Sequence, residues 1–600
     1  MAVAGTEVVG LRTARQDEAD ALSELALRSK AYWGYDAAFL AACQEDLRLR
    51  PQEVAVRRVR VAECAGRVLG FATLEGDPPD GELGMLFVEP DTIGGGVGRL
   101  LYDNVLDDGG RLGFSRLTIA SDPYAEGFYL AMGAERDGDA PPSTAGALPR
   151  LVAWPRRPEP SWVGAWTGGR RVVLVGNVAE FNAQFGATPA AGPDHYSCLA
   201  LFGSPQPAAV ILPEEVDEFW LPELARELGW AEVRVYSGIA ENGQTSEAIR
   251  TRPEILEHVR SSGSAVLPWG RTPEFERIMP SPEGVLNAVR RYESKAGSHA
   301  LFCAISPGHP GITVPTQRPI TSRRALAREL ASNTPIVLKS DYGVGGSGTL
   351  IVTAGTGRVR ALARRWAHEG VLLEEYVHGS GPYRNPTFDA VIGAAGEVHP
   401  VGVGLMRIDG TSYLGVTVGP GVLPDALVET ATGFGVAVGR ALAADGYRGW
   451  YDVDFVTDQQ GRLAPTETNL RLTGPAVAFT IQTRLDRLRG GRHLVRTLDH
   501  LRLGARLRQA PLRTHLERLA SECQSLGATL LVTIPTAAFD PVPHVGVAIA
   551  ARTAHAVDQA EAVVRAANQE LGEIFSDLDV SSSARSAWWP RRRRPRPQRP

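Results

Sequence analysis

The chain has 600 residues, 44% of them apolar and 22% charged, with a formal net charge of −5. This is the balance of a globular protein, which excludes a wholly disordered chain, and the length allows roughly three to five domains. No apolar stretch reaches the ~20 residues of a membrane helix, and the N-terminus has no basic head followed by an apolar core.

Five scattered cysteines (Cys43, Cys64, Cys198, Cys303, Cys523) show no Cys-x-x-Cys spacing. They argue against a disulfide framework or a zinc site and for a reducing cytoplasm. All five are expected as small buried hydrophobes.

The first segment, residues 1–155, opens with a helical region containing Ser29-Lys30-Ala-Tyr-Trp33-Gly-Tyr35-Asp36. Gly81–Pro90 reads as a strand, and Asp91-Thr-Ile-Gly94-Gly95-Gly96-Val97-Gly98-Arg99 opens a helix. Free amides at a helix N-terminus, with glycines allowing close approach, make a pyrophosphate site. A strand at Arg116–Ala120 then precedes Ala125-Glu-Gly-Phe-Tyr129-Leu-Ala-Met-Gly-Ala134.

This order resembles the GNAT N-acyltransferases over about residues 7–155. The resemblance implies acetyl-CoA as cofactor, with its pyrophosphate on Gly94, Gly96, Val97 and Gly98. It makes Tyr129 the acid that protonates the leaving thiolate, and puts the Lys30–Asp36 segment beside the acceptor. Ile93 stands where that family has Gln or Arg, so one side-chain contact to the cofactor is missing. Glu82 is either a general base or a solvated strand acid. The domain as a whole is either catalytic or a binding module.

Ala153-Trp-Pro-Arg-Arg-Pro-Glu-Pro-Ser161 is a linker. After it come short buried-strand runs at Arg171–Asn177, Ala208–Leu212, Glu232–Tyr236 and Ser264–Pro268, with a helical pattern at Glu214–Gly229. Their alternation predicts a small parallel α/β domain over 162–285. A helix is expected over Gly284–Lys295.

Only three lysines stand in the chain, Lys30, Lys295 and Lys339, against 60 arginines. A lysine kept in such a chain is a candidate for a task that needs a compact ammonium. Lys339 ends the apolar run Pro335-Ile-Val-Leu-Lys339, and Ser340-Asp-Tyr-Gly343-Val-Gly345-Gly346-Ser347-Gly348-Thr349 follows. An ammonium beside free loop amides is a phosphate site in chemical terms; a hairpin with a solvated lysine is the alternative.

Further on, Tyr451–Thr457 alternates as a strand, Asp458-Gln-Gln-Gly461 is a turn, and Arg462–Asn469 is the return strand. In such a hairpin Asp454 can lie across from Glu467, with Asn469 and Arg471 on the same face. Two carboxylates and an amide oxygen form a hard-oxygen set suited to Mg²⁺ bound together with phosphates. A solvated acidic hairpin is the alternative. Residues 501–578 read helix–strand–strand–helix, with helices at Leu512–Leu526 and His555–Leu571. The Arg-rich tail, 579–600, is expected to be disordered, either a solubilising extension or a contact for nucleic acid or an acidic partner protein.

The second half resembles the ATP-grasp superfamily in the order of these motifs: a lysine before a glycine-rich loop, an apolar hinge with acids, and an acid–Phe strand paired with Glu-x-Asn. The resemblance implies that Lys295, Lys339 and the loop Gly343, Gly345, Gly346, Ser347 and Gly348 hold the ATP phosphates. The hinge Val371-Leu-Leu-Glu374-Glu375-Tyr-Val377 would meet adenine and ribose. Asp454, Glu467 and Asn469 would hold Mg²⁺ or Mn²⁺, and Arg471 and Arg407 would stabilise the transferred phosphoryl group.

The implied reaction joins a carboxylate to an amine through an acyl phosphate, releasing ADP and phosphate. With the small domains on either side, residues 162–578 are similar to the pheganomycin-type peptide ligases of natural-product pathways, with 286–500 as the nucleotide domain and 501–578 as a small C-terminal α/β domain.

The fold class expected is therefore α/β multidomain, a GNAT fold followed by an ATP-grasp ligase. Its substrates are small amino acids or peptides, with no membrane, no nucleic acid despite the tail, a cytoplasmic location and an open oligomeric state. Two alternatives remain: a ligase with a GNAT docking module, and an acyl-CoA synthetase fused to an acetyltransferase. The latter's CoA-binding and phosphohistidine segments are not found.

Overall fold

The computed structural model describes residues 3–4, 7–141, 148–186, 193–240, 243–331, 334–343, 348–353 and 371–586, with side chains over 9–575 of these. The chain is mixed α/β and divides into two units. Met1–Glu159 with Leu485–Arg492 form the first, and Pro160–Arg484 with His493–Pro600 the second.

Besides the short pairing of Val3–Ala4 with Glu7–Val8, the first unit holds two larger sheets. Gly10–Thr13, Arg60–Cys64, Arg67–Ala72 and Leu86–Val88 make an antiparallel four-stranded sheet. The other runs Glu135–Asp139, Pro149–Ala153, Arg116–Ala120, Asp80–Glu82, Glu75–Asp77, with Asp80–Glu82 parallel to Arg116–Ala120. The helix Val97–Leu112 buries Val97, Leu101 and Val105, four residues apart, in the same core as Leu69, Leu83 and Leu117.

The second unit opens with a parallel sheet in the order Arg234–Tyr236, Pro207–Ile211, Val172–Val175, Ala265–Pro268. Val172–Val175 is buried at every position, which is why it reads as a continuous apolar run. A small antiparallel sheet follows: Gln317–Ile320, Val371–Glu375, Ile336–Ser340, Thr349–Val352.

An eight-stranded antiparallel sheet completes the unit: Leu463–Asn469, Gly449–Thr457, Pro386–Ile392, Val398–Asp409, Ser412–Val418, Leu494–Arg502, His544–Ala551, Ala528–Ile534. Helix Asp425–Ala444 packs Phe434, Val438 and Leu442 with Phe388, Tyr451 and Phe455. It approaches closely through Gly435 and Gly439, where a Cβ would lie 2.1 Å from the Phe388 ring and 2.0 Å from the Tyr451 hydroxyl.

Several boundaries differ from expectation. The helix foreseen over Gly284–Lys295 is broken. Val285–Tyr292 ends, Ser294 accepts a bond from Gly297 N as N-cap, and Lys295 opens a second helix to Ile305. The helical pattern from Glu214 forms only over Trp220–Leu228. Strand Leu494–Arg502 runs through the expected domain boundary at 500, so the last two strands extend the central sheet. The final helix spans Ala554–Ser586, past residue 579, where a disordered tail was expected. Residues 587–600 lie outside the described part. Cys64 is half-buried and Cys303 exposed, unlike the other three cysteines.

Candidate functional site

Strand Ile336–Ser340 alternates. Ile336 and Leu338 are buried with Leu326, Leu330 and Leu373, which turns Val337 and Lys339 to the opposite face, where both line a cleft of ≈ 1260 Å³. Lys339 Nζ lies 2.7 Å from Glu374 Oε1 and donates to the Thr466 carbonyl at 3.1 Å. Both side chains are buried. Gln317 Nε2 donates to the other Glu374 oxygen at 2.8 Å.

Lys295 reaches the same region from its helix N-terminus. Its Nζ lies 3.3 Å from Glu467 Oε2 and 3.4 Å from the Gly343 carbonyl. Its backbone N–H donates to the Asp341 carbonyl at 2.8 Å. The break at Ser294 is what aims it there. Two of the three lysines thus face one group of carboxylates.

The hairpin sets the acids in register: Asp452 opposite Asn469, Asp454 opposite Glu467. Burial, with the nearby Asp452 and Glu467, holds the Asp454 carboxyl well above the usual range. Burial acts to raise Glu467 as well, yet the Lys295 and Lys339 ammonium groups carry it below its ordinary value. Asp452 is pushed up to about 7 by burial, against the pull of Arg471 and Asn469. Asp389, behind them, is raised by burial and by Asp452, and accepts from Trp450 Nε1 at 2.9 Å.

Arg471 donates to Asn469 Oδ1 at 2.7 Å, and Asn469 Nδ2 donates to Asp452 Oδ1 at 2.8 Å. Arg471 Nε lies 3.8 Å from Glu293, which burial raises and Arg471 opposes.

One observation tests whether a cation fits. Asp454 Oδ1 is buried with no hydrogen-bond partner, opposite a second carboxylate. A buried acid in that state is costly unless something compensates it. No group of three or more His, Cys, Asp or Glu among the described residues could hold a metal. Asp454 and Glu467 are hard-oxygen donors of the kind a small divalent cation takes, but too few to cage one, so such an ion would need further oxygen ligands from outside the protein.

The other expected residues are placed as follows. Gly348 has φ +78 and its carbonyl accepts from Ser340 N at 2.7 Å. A Cβ there would meet Ser340 Oγ at 2.0 Å, so only glycine fits. Gly345, Gly346 and Ser347 lie outside the described residues. Glu375 and Val377 line the cleft. Glu375 accepts from Thr316 Oγ1 at 3.1 Å, and the Val377 carbonyl accepts from Arg384.

Arg407 is a correction. Met406 and Ile408 line the cleft, so strand alternation sends Arg407 to the other face. There its side chain, 53% exposed, pairs with Glu561 at 2.8 Å. Sequence reasoning also missed Asp389, Asp452, Glu293 and Asp499. Asp452 shares the hairpin's alternation with Asp454 and was legible in principle, whereas Asp389 comes from the separate strand Pro386–Ile392.

In the first unit, Gly94 and Gly96 have φ +85 and +87, and Gly96 is the N-cap of the helix that Val97 and Gly98 open. Positive φ at these positions calls for glycine. A Cβ on Gly98 would touch the Phe128 ring at 3.7 Å. Tyr129 is buried against Tyr102 and Phe128, and burial pushes its phenol well up. Burial also raises Glu82, with Glu75 opposite it across the strand pair.

Residues 37–145 match the family model described as an acetyltransferase (GNAT) domain. The first unit contains a GNAT domain. The comparison with curated proteins found no match. Solved structures similar to this chain include an N5-carboxyaminoimidazole synthase from Aspergillus clavatus, at 14% identity over 66% of this chain and 98% of that one. A biotin carboxylase from Campylobacter jejuni is similar at 12% identity over 67% and 95%, and an L-amino acid ligase from Bacillus licheniformis at 11% over 67% and 98%. The TM-score is 0.40 in each case. The chemistry therefore has to be read from the cleft itself. Among the described residues no helix is long and apolar enough to cross a membrane.

Proposed function

We propose that the second unit is an ATP-grasp ligase that joins a carboxylate to an amine, at the expense of ATP, in the manner of the pheganomycin-type peptide ligases. The observation that carries this reading is the convergence of Lys295 and Lys339 on Glu467 and Glu374 beside the orphaned Asp454 oxygen. Two buried ammonium groups beside an acid with one unpartnered oxygen suit a nucleotide polyphosphate and its cation.

In this reading Lys295 and Lys339 exchange their carboxylate partners for phosphate oxygens. Glu375 and the backbone to Val377 meet the ribose and base. Mg²⁺ on Asp454, Glu467 and Asn469 supplies charge neutralisation when bound. Arg471, already oriented by Asn469, grips the phosphoryl group as it passes to the substrate carboxylate. The neutral amine nitrogen then attacks the acyl carbon, the carbon–nitrogen bond forms, phosphate leaves with the electron pair of the broken carbon–oxygen bond, and the proton shed by the nitrogen passes to phosphate or solvent. Positioning and charge do most of this work.

For the first unit we propose acetyl-CoA as ligand, with its pyrophosphate on the amides of Gly94 to Gly98 and Tyr129 as proton donor to the thiolate. Ile93 supports a second reading, a binding module, because it offers no hydrogen bond where the family has one. A reading in natural-product biosynthesis rests on the pairing of the two activities in one chain.

The experiment is mass spectrometry of products from the full chain with ATP, Mg²⁺, acetyl-CoA and a pool of amino acids. An amide with ADP and phosphate supports the ligase. A CoA thioester, or no ATP consumption with any acid, sinks it.

A further inference from the structure

Strand Leu494–Arg502 pairs with His544–Ala551 as Leu498 to Val547 and then Leu501 to Val545. Asp499 and His500 therefore stand opposite the single residue Gly546. Such a bulge breaks the alternation of a strand and re-aims a side chain. In a regular strand only one of two neighbours faces a given side. Here both line the cleft.

Asp499 is only 7% exposed. Its hydrogen bond comes from the Tyr196 hydroxyl at 3.0 Å, and no Lys or Arg pairs with it among the described residues. Burial pushes its carboxyl up to about 6, against the pull of Tyr196. A buried carboxyl without a cation is destabilising, so its place in a cleft wall asks for a ligand that compensates it.

The surroundings hold it there. The Tyr196 ring packs edge-on against Trp269 at 5.7 Å, and the Trp269 carbonyl accepts from Leu472 N at 2.8 Å, directly after Arg471. Tyr413 lines the same cleft, and its hydroxyl is buried without a hydrogen-bond partner. Its ring lies over Gly474, where a Cβ would come within 2.5 Å. A carboxyl without a cation and a hydroxyl without a hydrogen-bond partner thus border the Arg471–Gly474 segment.

We infer that Asp499, with Tyr196 and Tyr413, seats the amine substrate of the proposed ligase, and that this amine arrives as an ammonium ion, which gives up one proton to solvent or to a phosphate oxygen before its nitrogen attacks. The inference rests on the ligase reading. An ammonium supplies the charge that Asp499 lacks and N–H donors for its free lone pairs and for the Tyr413 oxygen. An anionic group would meet like charge at this wall, and an alcohol would leave Asp499 uncompensated. Asp499 is a positioning residue for the amine and has no part in activating the carboxylate.

The test runs the full chain with ATP, Mg²⁺ and each proteinogenic amino acid, either with hydroxylamine or with the amino acids themselves as amines. Near neutral pH hydroxylamine is uncharged and small, and it captures the activated carboxylate as a hydroxamate without needing an ammonium seat.

Asp499→Asn is expected to form hydroxamate as the unaltered chain does, while its KM for the amine rises about tenfold or more, the scale of one charge-assisted hydrogen bond. Its KM for ATP stays unchanged. Tyr196→Phe shifts the amine KM in the same direction by less. An unchanged amine KM in Asp499→Asn overturns the inference. So does an equal loss of hydroxamate and amide, because Asp499 would then serve the fold or the carboxylate half. If the unaltered chain forms no hydroxamate with any amino acid, the ligase reading itself fails and takes this inference with it.

Discussion

Asp454 and Glu467 face each other across one strand pair, and the cleft shifts their carboxyls in opposite directions. The asymmetry has a simple source. Glu467 has Lys295 at 3.3 Å, while Asp454 Oδ1 has no partner at all. The pair is therefore one fixed negative charge beside one acid that a cation would ionise.

This makes a pH prediction with a definite sign. A carboxyl raised in the folded state keeps its proton longer than in the unfolded chain, so stability falls as pH climbs through the gap. Without Mg²⁺, the contribution of this acid cluster is lost from the ordinary 3.8 up to the about 7 of Asp452. Asp454→Asn should then raise the melting temperature at neutral pH without Mg²⁺ and abolish the upward shift that Mg²⁺ gives the unaltered chain. A variant that melts lower and still responds to Mg²⁺ would place the metal elsewhere.

Lys339 is buried on Glu374, so removing it leaves an uncompensated acid and takes a cation from the proposed phosphate site. Lys339→Ala should lose ATP turnover and destabilise the fold by about 3–5 kcal/mol, the usual effect of breaking a buried pair. Denaturant titration and phosphate release check the two effects separately. Lys339→Arg keeps the charge but not the compact shape, and is expected to stay inactive.

Arg407 and Arg471 should behave in contrasting ways. Arg407→Ala removes a half-exposed contact to Glu561, worth about 0–1 kcal/mol, and should leave turnover intact. Arg471→Ala, beside Asn469 in the cleft, should lower kcat more than it raises the KM for ATP. Steady-state kinetics of the two variants would contradict the placement if Arg407→Ala were the slower.

For the first unit, Gly96→Ala forces a side chain into φ +87 at the helix start. The strain is about 1 kcal/mol, enough to weaken acetyl-CoA binding several-fold by calorimetry. Tyr129→Phe should leave that binding in place and slow acyl transfer. Unaltered binding in Gly96→Ala would put the cofactor away from this loop.

Much of this was legible in the sequence because it is local. The turn Asp458–Gly461 fixed the hairpin, and the hairpin fixed which acid faces which. The parallel sheet showed itself as apolar runs, since strands buried on both faces carry no alternation. What was illegible depended on a register or a partner far along the chain. Nothing around Arg407 says which face of its strand turns to the cleft. The bulge that turns Asp499 to the cleft exists only once Leu498 and Leu501 have found Val547 and Val545. Lys30 gained its explanation in the same way: its ammonium lies 3.0 Å from Asp122, with Tyr35 bonded to the same carboxylate at 3.0 Å.

The central claim is that Lys295 and Lys339 hold a nucleotide polyphosphate in one cleft. Calorimetric titration of the full chain with a non-hydrolysable ATP analogue in Mg²⁺ tests it most directly. The account predicts a site that is lost in Lys295→Ala and in Lys339→Ala and kept in Arg407→Ala. Binding that survives both lysine substitutions, or no binding by the unaltered chain, would contradict it.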